Sequence, residues 1–597
     1  MKKGWIVAVA LLALFTTATV ASAQKAAGEV TQTKVIHRGV SFLQSVPSHP
    51  LAPTSSKAPQ EADLERRLMK VQYPNMSSGK PLGPAQPSFG ALAPKTNVGV
   101  TFGGTEFTVN GLDNIDNSSA TSGLLFGGDL EPPDQGLCAG NGFVIEAVNN
   151  VFAVYDQSGN QLSIDVPTAP FFDVPNSFIS DPRCYYDPTD GRFYFTETDV
   201  EDFDIAPPLT RSFIVLAVSE DANPFDGFDL LAVDTSDDGL NGTPKHVGCP
   251  GPLTGFPCFG DQPLIGADKF GFYITTNEFN LLEPFFNGAQ IYAFSKADLE
   301  GLPNLSFAQP EVHFANLSVG GGLAASVQPA TSPVAGGGEP NEGTEFFLSA
   351  LNRNFTSDNR IGVWAMTNTE SLNSTPNLAL QNIVVKVKPY EEPGSAAQEA
   401  DPDDIPLGQA IGDPEETLSA DDNRMQQVVF SGERLYGALT GTIFDGTEFV
   451  DGIETFVLEP SFHSGLLKAK LDANQNITVE GQNLIYPAIG ITEDDLGAMT
   501  FTIAGPNFFP TAAFLRVNSG GATGLVHIIA QGQDPDDGFT GYAGIPSNQV
   551  FAGRWGDYSA AVADGEHNVF IATEYISGVR RDLFVNWATS MSEVKVK

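Results

Sequence analysis

The sequence predicts an all-β protein, and within that class a β-propeller of seven blades, with six blades as the alternative. Short runs rich in Val, Ile, Phe, Tyr and Thr, such as 143–148, 213–219 and 568–575, alternate with Gly, Asn, Asp and Pro through 127–590. This is the pattern of short strands joined by turns. A unit of polar opening, short strand, turn and longer aromatic strand also recurs at irregular spacing. Such recurrence is expected where blades pack around an axis and insertions fall into loops.

Each repeated unit begins with a short polar group, which we call its opening. The openings are Asp134-Gln135, Asp181-Pro182-Arg183, Asp261-Gln262-Pro263, Gln328-Pro329, Asn423-Arg424, Tyr486-Pro487 and Asp557-Tyr558. The sixth opening is the faintest, and the first and last units could share one blade, so six blades remain the alternative. Such sharing would close the ring and leave no exposed sheet edge. A row of sandwich domains would instead need linkers, and 127–590 contains no linker-like stretch.

Composition excludes several functions. The chain has 597 residues, enough for several domains or one large repeat fold. It carries 31 Lys and Arg against 72 Asp and Glu, a net charge of −41. That excess argues against nucleic-acid binding, which needs basic surface, and against docking on anionic lipid. The 41% hydrophobic content, with 43 Phe, also excludes a disordered acidic chain.

Residues 1–23 are predicted to be an export signal. Lys2 and Lys3 precede an apolar run at 5–15, and Ala21-Ser22-Ala23 forms a small-x-small cleavage site. The apolar run is too short to span a membrane comfortably, and no other run approaches that length. We therefore expect a secreted, extracellular or periplasmic protein without a membrane span, acting as a monomer.

The remaining chain divides into an arm and a propeller. Residues 24–120 are rich in Pro, Ser, Ala and Lys, and we interpret them as a poorly structured N-terminal arm or pro-region. The propeller domain is assigned to 121–597. An acidic, Pro-bearing insertion at 386–422 interrupts it. This insertion is either a solvated surface loop or a flap over one face of the propeller.

Cysteine usage agrees with export. The four cysteines predict two disulfides, because an even count in an exported chain is typical of oxidised pairs. Cys249 and Cys258 enclose a Pro/Gly-rich loop and are paired in our prediction. Cys138 and Cys184 then pair by elimination. A zinc site is the rival interpretation, but close CxxC pairs and well-placed His are lacking.

The openings should converge on the central funnel of a propeller. Three of the scarce arginines lie at openings, and a guanidinium can bind a carboxylate in bidentate fashion. The predicted ligand-binding residues are Arg183, Arg424, Arg554, Asp181, Asp261, Asp557 and Tyr558. If the site cleaves a glycosidic bond, Asp181, Asp261 or Asp557 would be the acid and Tyr558 or a carboxylate the nucleophile. Alternatively, the same Arg–Asp pairs are inter-blade salt bridges that fix the ring.

Calcium is the cofactor that the sequence favours, in a structural role, and no organic cofactor is expected. Two loops place several hard oxygen ligands close together, as Ca²⁺ requires. The candidate ligands are Asp234, Asp237, Asp238 and Asn241 in one loop and Asp534, Asp536 and Asp537 in the other. Neither loop matches the EF-hand spacing. The alternative is that both are solvated acidic turns.

Three segments resemble motifs of exported bacterial sialidase-like β-propeller proteins. They are SDPR at 180–183 with the following DPTDGR at 187–192, NRMQ at 423–426 and RWGDYS at 554–559. The resemblance covers about 127–590 and excludes the arm. It implies a propeller fold, and for the family's enzymes an activity on acidic glycans. The F-R-I-P motif and intact Asp boxes of sialidases are missing; TDGRF at 189–193 matches an Asp box only in part.

The sequence thus predicts a secreted propeller that binds a ligand or partner on one face without catalysis, the partner being an acidic glycan or an extracellular protein. The alternative is a sialidase-like glycoside hydrolase or lyase acting on acidic glycans. A purely structural surface protein is the third hypothesis. No catalytic residue is assigned. The lack of G-x-S-x-G and HExxH motifs argues against a serine hydrolase and against a His-based zinc enzyme.

Overall fold

Seven four-stranded blades surround one axis in the computed structural model of the chain. The structure describes residues 24–25, 29–33, 35–45, 96–201, 210–249, 257–281, 286–302, 311–333, 343–351, 357–400, 417–541, 552–565, 567–578 and 585–597. The predicted export signal, 1–23, lies outside these residues. Neighbouring innermost strands contact one another in a closed circle, the seventh against the first. The seven-bladed propeller is therefore confirmed.

Each blade runs outward from the axis in chain order. The innermost strands of blades 1 to 7 are Gly136–Gly140, Phe178–Asp187, Cys258–Ala267, Gln328–Thr331, Val428–Ser431, Asn483–Ile491 and Ala560–Ala563. The second strands are Phe143–Val148, Arg192–Glu201, Gly271–Asn280, Thr344–Ala350, Arg434–Phe444, Leu496–Gly505 and Asn568–Ile576. The third strands are Val151–Asp156, Arg211–Ser219, Phe286–Ser295, Asp358–Thr367, Phe449–His463, Phe508–Asn518 and Trp587–Lys595.

The fourth strand of blade 7 comes from the arm and closes the ring. The fourth strands are Val166–Pro167, Phe228–Asp234, Glu311–Ala315, Ala379–Tyr390, Leu466–Thr478 and Gly521–Ala530 for blades 1 to 6, and Phe107–Asp113 for blade 7. Phe107–Asp113 pairs antiparallel with Trp587–Lys595. Blade 7 is thus built from both halves of the chain, which ties the two together and covers a sheet edge.

Other described parts of the arm add a fifth strand to five blades. Gln24–Lys25, Glu29–Thr33 and Val35–Ser41 pair antiparallel with blades 4, 3 and 2. Thr96–Asn97 and Val100–Phe102 pair parallel with blades 5 and 6. In chain order, the described arm strands therefore join the outer edges, or rim, of blades 4, 3 and 2 and then of blades 5, 6 and 7. Residues 46–95 of the arm lie outside the described residues.

The apolar core is divided among the seven interfaces between blades. A separate cluster of buried side chains fills each interface, for example Val154 and Phe195 between blades 1 and 2, and Phe514 and Ile571 between blades 6 and 7. Because each blade is packed on both faces, its strands read as nearly continuous apolar runs rather than strict alternation. FVIEAV at 143–148 is buried almost throughout.

Helices are short and peripheral. The described part of the chain contains three α-helices, Asn114–Ala120, Thr168–Phe171 and Lys296–Glu300, and two 3-10 turns, Thr369–Asn373 and Phe539–Gly541. Among the described residues, no helix has the length and apolar content needed to cross a membrane. A two-stranded ribbon, Ser318–Val319 with Gly322–Leu323, lies beside blade 3.

The two described ends of the acidic insertion pair with each other. Ser395–Ala396 pairs antiparallel with Thr417–Ser419, which in turn pairs parallel with Ala552–Gly553. Ala552–Gly553 directly precedes Arg554, and Thr417–Ser419 closely precedes Asp421. The base of the insertion is thus fixed next to two openings, whereas 401–416 lie outside the described residues.

Candidate functional site

All seven openings bend the chain in the same way. One residue at or before each inner strand has a left-handed backbone, with φ between 43° and 62°. These residues are Asp134, Asp181, Gln262, Ser326, Asp421, Tyr486 and Gly556. Six of them are not glycine, and a left-handed backbone costs such residues about 1 kcal/mol or more each. The turn therefore recurs despite its cost, and it directs polar side chains toward the axis.

A closed circuit of polar contacts joins five blades, namely blades 1, 2, 3, 5 and 7, at this end of the axis. Asn149 Nδ2 donates to Asp134 Oδ2 at 2.9 Å, and Asn149 Oδ1 accepts from the Asp181 backbone N–H at 2.8 Å. The Gln262 backbone N–H donates to Asp181 Oδ2 at 3.1 Å. We call the whole group the axial cluster, and its members are Asp134, Asn149, Asp181, Arg183, Gln262, Arg424, Arg554, Asp557 and Tyr558.

Arg424 completes the circuit. Its Nη1 donates to Gln262 Oε1 at 2.7 Å and lies 3.8 Å from Asp557 Oδ2. The Asp557 backbone N–H donates to Asp134 Oδ1 at 2.6 Å. Arg424 also pairs with the two acids before it, at 2.5 Å to Asp421 and 2.8 Å to Asp422. One guanidinium therefore links blades 3, 5 and 7, as the salt-bridge alternative predicts.

Arg554 and Arg183 differ in their contacts. Arg554 Nη2 lies 3.1 Å from Asp557 Oδ1 and is occupied by that pair. Arg183 is only 8% exposed, and its Nε and Nη2 have no hydrogen-bond partner. Its guanidinium carbon instead lies 3.4 Å from the ring centroid of Tyr558, a cation–π contact. Arg183 thus brings to the axial cluster two guanidinium N–H groups, on Nε and Nη2, that are free to bind a ligand.

Burial makes the acids of the axial cluster hard to ionise. Burial, with the nearby Asp557 carboxylate second, raises the pKa of Asp134 to about 7. Burial and then Asp261 raise the pKa of Asp181 well above its ordinary value. Asp421 likewise has a pKa raised well above its ordinary value by burial. These shifts all favour the neutral form of the acids, so the local charge is less negative than the residue count indicates.

The seven predicted ligand-binding residues all lie at this end of the ring. Asp261 lies at the start of a β-bulge that ends at Leu264 in the inner strand of blade 3. The sequence prediction did not include Asn149, which lies in a turn after Val148 and bridges Asp134 to Asp181. It also left out Gln262 as a candidate, although it lies within a quoted opening.

A small, solvent-open pocket lies at the other end of the inner strands. It is lined by residues at the ends of inner strands from six blades, among them Ala139, Tyr186, Pro333, Ile491 and Ala563. Charged side chains are scarce there. The axial cluster and this pocket are thus separate features at opposite ends of the same axis.

The first predicted calcium loop uses its acids within the protein. Asp234 and Asp238 both pair with Arg211, the latter at 2.8 Å. Asn241 Nδ2 lies 3.4 Å from Asp234 Oδ2. Asp237 points elsewhere, with Oδ2 at 3.3 Å from His246 Nδ1. The four predicted ligands therefore face two different groups of partners.

The second predicted calcium loop is anchored through its backbone. The Asp536 N–H donates to Gln398 Oε1 at 2.7 Å, which joins this loop to the acidic insertion. The Asp537 N–H donates to Asn586 Oδ1 at 3.3 Å. Asp534 lies against Gly578. Calcium at either loop remains a prediction.

Both predicted disulfides are confirmed. Cys138 and Cys184 join the inner strands of blades 1 and 2. Cys249 and Cys258 close the short loop that leads into blade 3. The first disulfide therefore links two neighbouring blades near the axis, and the second constrains a loop.

No family model matches the chain, and no curated protein matches its sequence. Among solved structures, it is similar to the phage phi92 endosialidase, at 6% identity and a TM-score of 0.34 over 82% of this chain and 69% of that one. It is similar to the Trypanosoma rangeli sialidase at 7% identity and 0.29, over 77% and 58%. It is also similar to the Penicillium chrysogenum α-L-arabinanase at 12% identity and 0.25, over 69% and 93%. The propeller is established by the sheet topology, independently of these likenesses.

Proposed function

We propose that this protein is an exported propeller that binds a carboxylate-bearing ligand, an acidic glycan, at the axial cluster. The observation that supports this most is Arg183, which is buried with two unpartnered guanidinium nitrogens. A buried donor without a partner is costly, and a ligand carboxylate would satisfy both nitrogens at once. The two disulfides fit an oxidising compartment, which supports export.

The charge of the axial cluster is compatible with an anion. Asp134 has a pKa raised to about 7, mainly by burial, and Asp181 and Asp421 have pKa values raised further. These raised pKa values reduce the negative charge that the acids place near Arg183, which favours an anionic ligand there. Tyr558 forms a flat apolar surface beside the same guanidinium. A charged group next to an apolar platform is suited to a sugar acid. Because Arg183 is buried, the ligand enters only after a local opening, so association should be slow.

A glycan array followed by titration calorimetry on the hits tests this proposal with the full chain. The Arg183→Gln variant should lose affinity by about 100-fold, because two charge-assisted hydrogen bonds are lost. Arg434→Gln is the matched control, since Arg434 is a partly exposed arginine on blade 5. Circular dichroism verifies that both variants fold. Equal affinity of the Arg183 variant and the unchanged protein would contradict the proposal.

Cleavage of the bound glycan is the second candidate function. Asp134 favours it, because a carboxyl with a pKa of about 7 can donate a proton at neutral pH. Fluorogenic glycosides at pH 5 to 8 would measure it. Asp134→Asn should then reduce turnover by about 10²–10⁴-fold while leaving binding to the array intact. A complete lack of turnover with unchanged binding would eliminate cleavage and leave the binding function.

Structural calcium at 234–241 or 534–538 stays part of the proposal, as does a monomeric state. Removing a ligand that binds only the folded state must lower stability. A fall in Tm on calcium chelation with EGTA, reversed by added CaCl₂, is therefore the expected result. An unchanged Tm would exclude tightly bound structural calcium.

A further inference from the structure

A second buried polar cluster lies beside blade 3, away from the axis. Asp237 and His246 belong to the loop that follows strand Phe228–Asp234, and Glu278 lies on strand Gly271–Asn280. We call these three residues the blade 3 triad. Asp237 and Glu278 are each 1% exposed and His246 is 8% exposed. The left-handed backbone of Asp237, at φ 44°, directs its side chain inward from the loop.

The donor atoms of the triad are spaced like the ligands of one metal ion. His246 Nδ1 lies 2.7 Å from Glu278 Oε2 and 3.3 Å from Asp237 Oδ2. All three ligand atoms lie within 4.8 Å of one another. Ligands bound at about 2.0–2.1 Å around a tetrahedral zinc ion lie roughly 3.4 Å apart. The imidazole and both carboxylates therefore converge on one point.

An unpartnered oxygen indicates that the protein alone does not complete this cluster. Asp237 Oδ1 is buried and has no hydrogen-bond partner. Arg211, which begins strand Arg211–Ser219, pairs with Asp234 and Asp238 instead. Two buried carboxylates thus share one imidazole. A divalent cation bound by Asp237 would supply the missing positive charge, and it would satisfy Oδ1 where the carboxylate binds through both of its oxygens.

Gln290 offers a fourth ligand. Its Nε2 lies 3.1 Å from Asp237 Oδ2 and also contacts Glu278 Oε2, while its Oε1 faces His313 Nε2. A half-turn of the amide would place Oε1 toward the triad and Nε2 toward His313. The two amide orientations have nearly the same shape. The Nε2 atom of a neutral His313 ring can accept that N–H.

The donor set selects the metal. Calcium takes six to eight oxygen ligands, whereas one imidazole, two carboxylates and one amide oxygen match a four-coordinate site for a borderline ion. We propose that Asp237, His246 and Glu278, with Gln290 as the fourth ligand, form a structural zinc site in blade 3. This site is independent of the axial cluster. It shares Asp237 with the first predicted calcium loop but differs from that loop in the ion and in its other donors.

The proposed site would tie three segments together. His246 Nε2 lies 3.5 Å from Glu29 of the arm strand Glu29–Thr33. Cys249 Sγ lies 3.0 Å from Glu278 Oε1, so the Cys249–Cys258 disulfide abuts the triad. A zinc ion here would therefore fix the loop before blade 3 to its second strand and, through His246, to the arm.

Titration of the metal-free full chain with ZnCl₂ in a calorimeter tests the site. One zinc ion per chain should bind and raise Tm, because it binds only the folded state. His246→Gln should weaken zinc binding by about 100-fold or more, since a ligand loss exceeds the usual 10–100-fold effect of outer partners. Co²⁺ in place of zinc should give the visible absorption of a tetrahedral site, and Glu278→Gln should abolish that absorption.

His567→Gln is the matched control. His567 forms an exposed group of the same donor types with Glu493 and Asp494, so this variant should leave tight binding unchanged. Loss of tight zinc binding in His567→Gln but not in His246→Gln would overturn the proposal. So would no tight zinc binding at all, or displacement of zinc by millimolar CaCl₂. In that case the triad is a hydrogen-bonded ion group, in which Asp237 and Glu278 outweigh burial and raise the pKa of His246 to about 10.

Discussion

The axis and the rim of this propeller hold their cations in different ways. At the axis, Arg424 is 2% exposed and meets acids or amides from three blades. At the rim, Arg38 of the added strand Val35–Ser41 has a 13% exposed side chain and pairs only with blade 2, at 2.6 Å to Glu201 and 3.5 Å to Asp199. The axial charges must therefore be matched within the protein, whereas the rim strands are held mainly by backbone pairing, which depends little on sequence.

Removing the axial guanidinium should have the largest effect. Arg424→Met leaves Asp421 and Asp422 buried without their cation and Asp557 with Arg554 alone. Breaking such a buried group costs about 3–5 kcal/mol. The side chain keeps a similar length, so lost charge rather than lost volume is measured. Urea denaturation at pH 7 gives the free energy of unfolding.

Arg434→Met is the control for this comparison. Arg434 pairs with Asp472 at 3.3 Å and Asp495 at 3.2 Å, but its side chain is 31% exposed. Solvent screens such pairs, so the loss should stay below about 1 kcal/mol. Equal losses in the two variants would show that the axis is no more sensitive to charge removal than the outer surface.

The two disulfides extend the comparison to covalent links. Cys138–Cys184 encloses a sequence separation of 46 near the axis, and Cys249–Cys258 one of 9 in a loop. Loop-closure entropy predicts losses of about 4 and about 2.7 kcal/mol on replacing each pair by serine. Urea denaturation of C138S/C184S and C249S/C258S should rank them in that order. The reverse order would mean that the loop bond does more than restrict the unfolded chain.

The sequence allowed the axial openings to be predicted because their polar residues interrupt apolar strands at every blade. Asp181-Pro182-Arg183 and Asp557-Tyr558 stand out in this way. It did not show that Arg424 reaches Gln262, since that contact crosses 162 positions and depends on how blades 3 and 5 face each other. A sequence repeat shows the order of the blades and of the strands within them. It does not show in which direction a side chain points across the axis.

The rim was harder to predict than the axis. Glu29–Thr33, EVTQT, has a polar composition with one apolar residue, and Thr96–Asn97 has only two residues. Edge strands of this kind are specified by the unpaired edge that receives them, so their own sequence carries little signal. The blade 3 triad was missed for a related reason. Asp237 and His246 lie nine positions apart, Glu278 lies on another strand, and neither spacing matches a metal motif.

The smallest predicted effect is on the pH dependence of the free energy of unfolding, to which the axis and the rim should contribute over different pH ranges. Burial raises the pKa of Asp134 at the axis from 3.8 to about 7. It likewise raises the pKa of Asp199, which lies on the second strand of blade 2 and pairs with Arg38 of the rim, to about 8. Between 3.8 and those values the folded state holds protons that the unfolded state has released. Stability is therefore fully present below pH 3.8 and falls as pH rises, by up to about 1.4 kcal/mol per pH unit for each group.

Urea denaturation at each pH from 4 to 9 measures these slopes. Asp134→Asn should flatten the decline between pH 4 and 7, and Asp199→Asn should flatten it up to pH 8. Asp156→Asn is the control, because exposed Asp156 has a pKa lowered by Asn160 and Ser158 despite slight burial, and it should not alter the slope above pH 5. A decline that persists in Asp134→Asn but disappears in Asp199→Asn would place the proton-linked stability at the rim, where Arg38 binds. The buried acids of the axis would then already be ionised in the folded protein, and the binding of an anion beside Arg183 would lose its electrostatic basis.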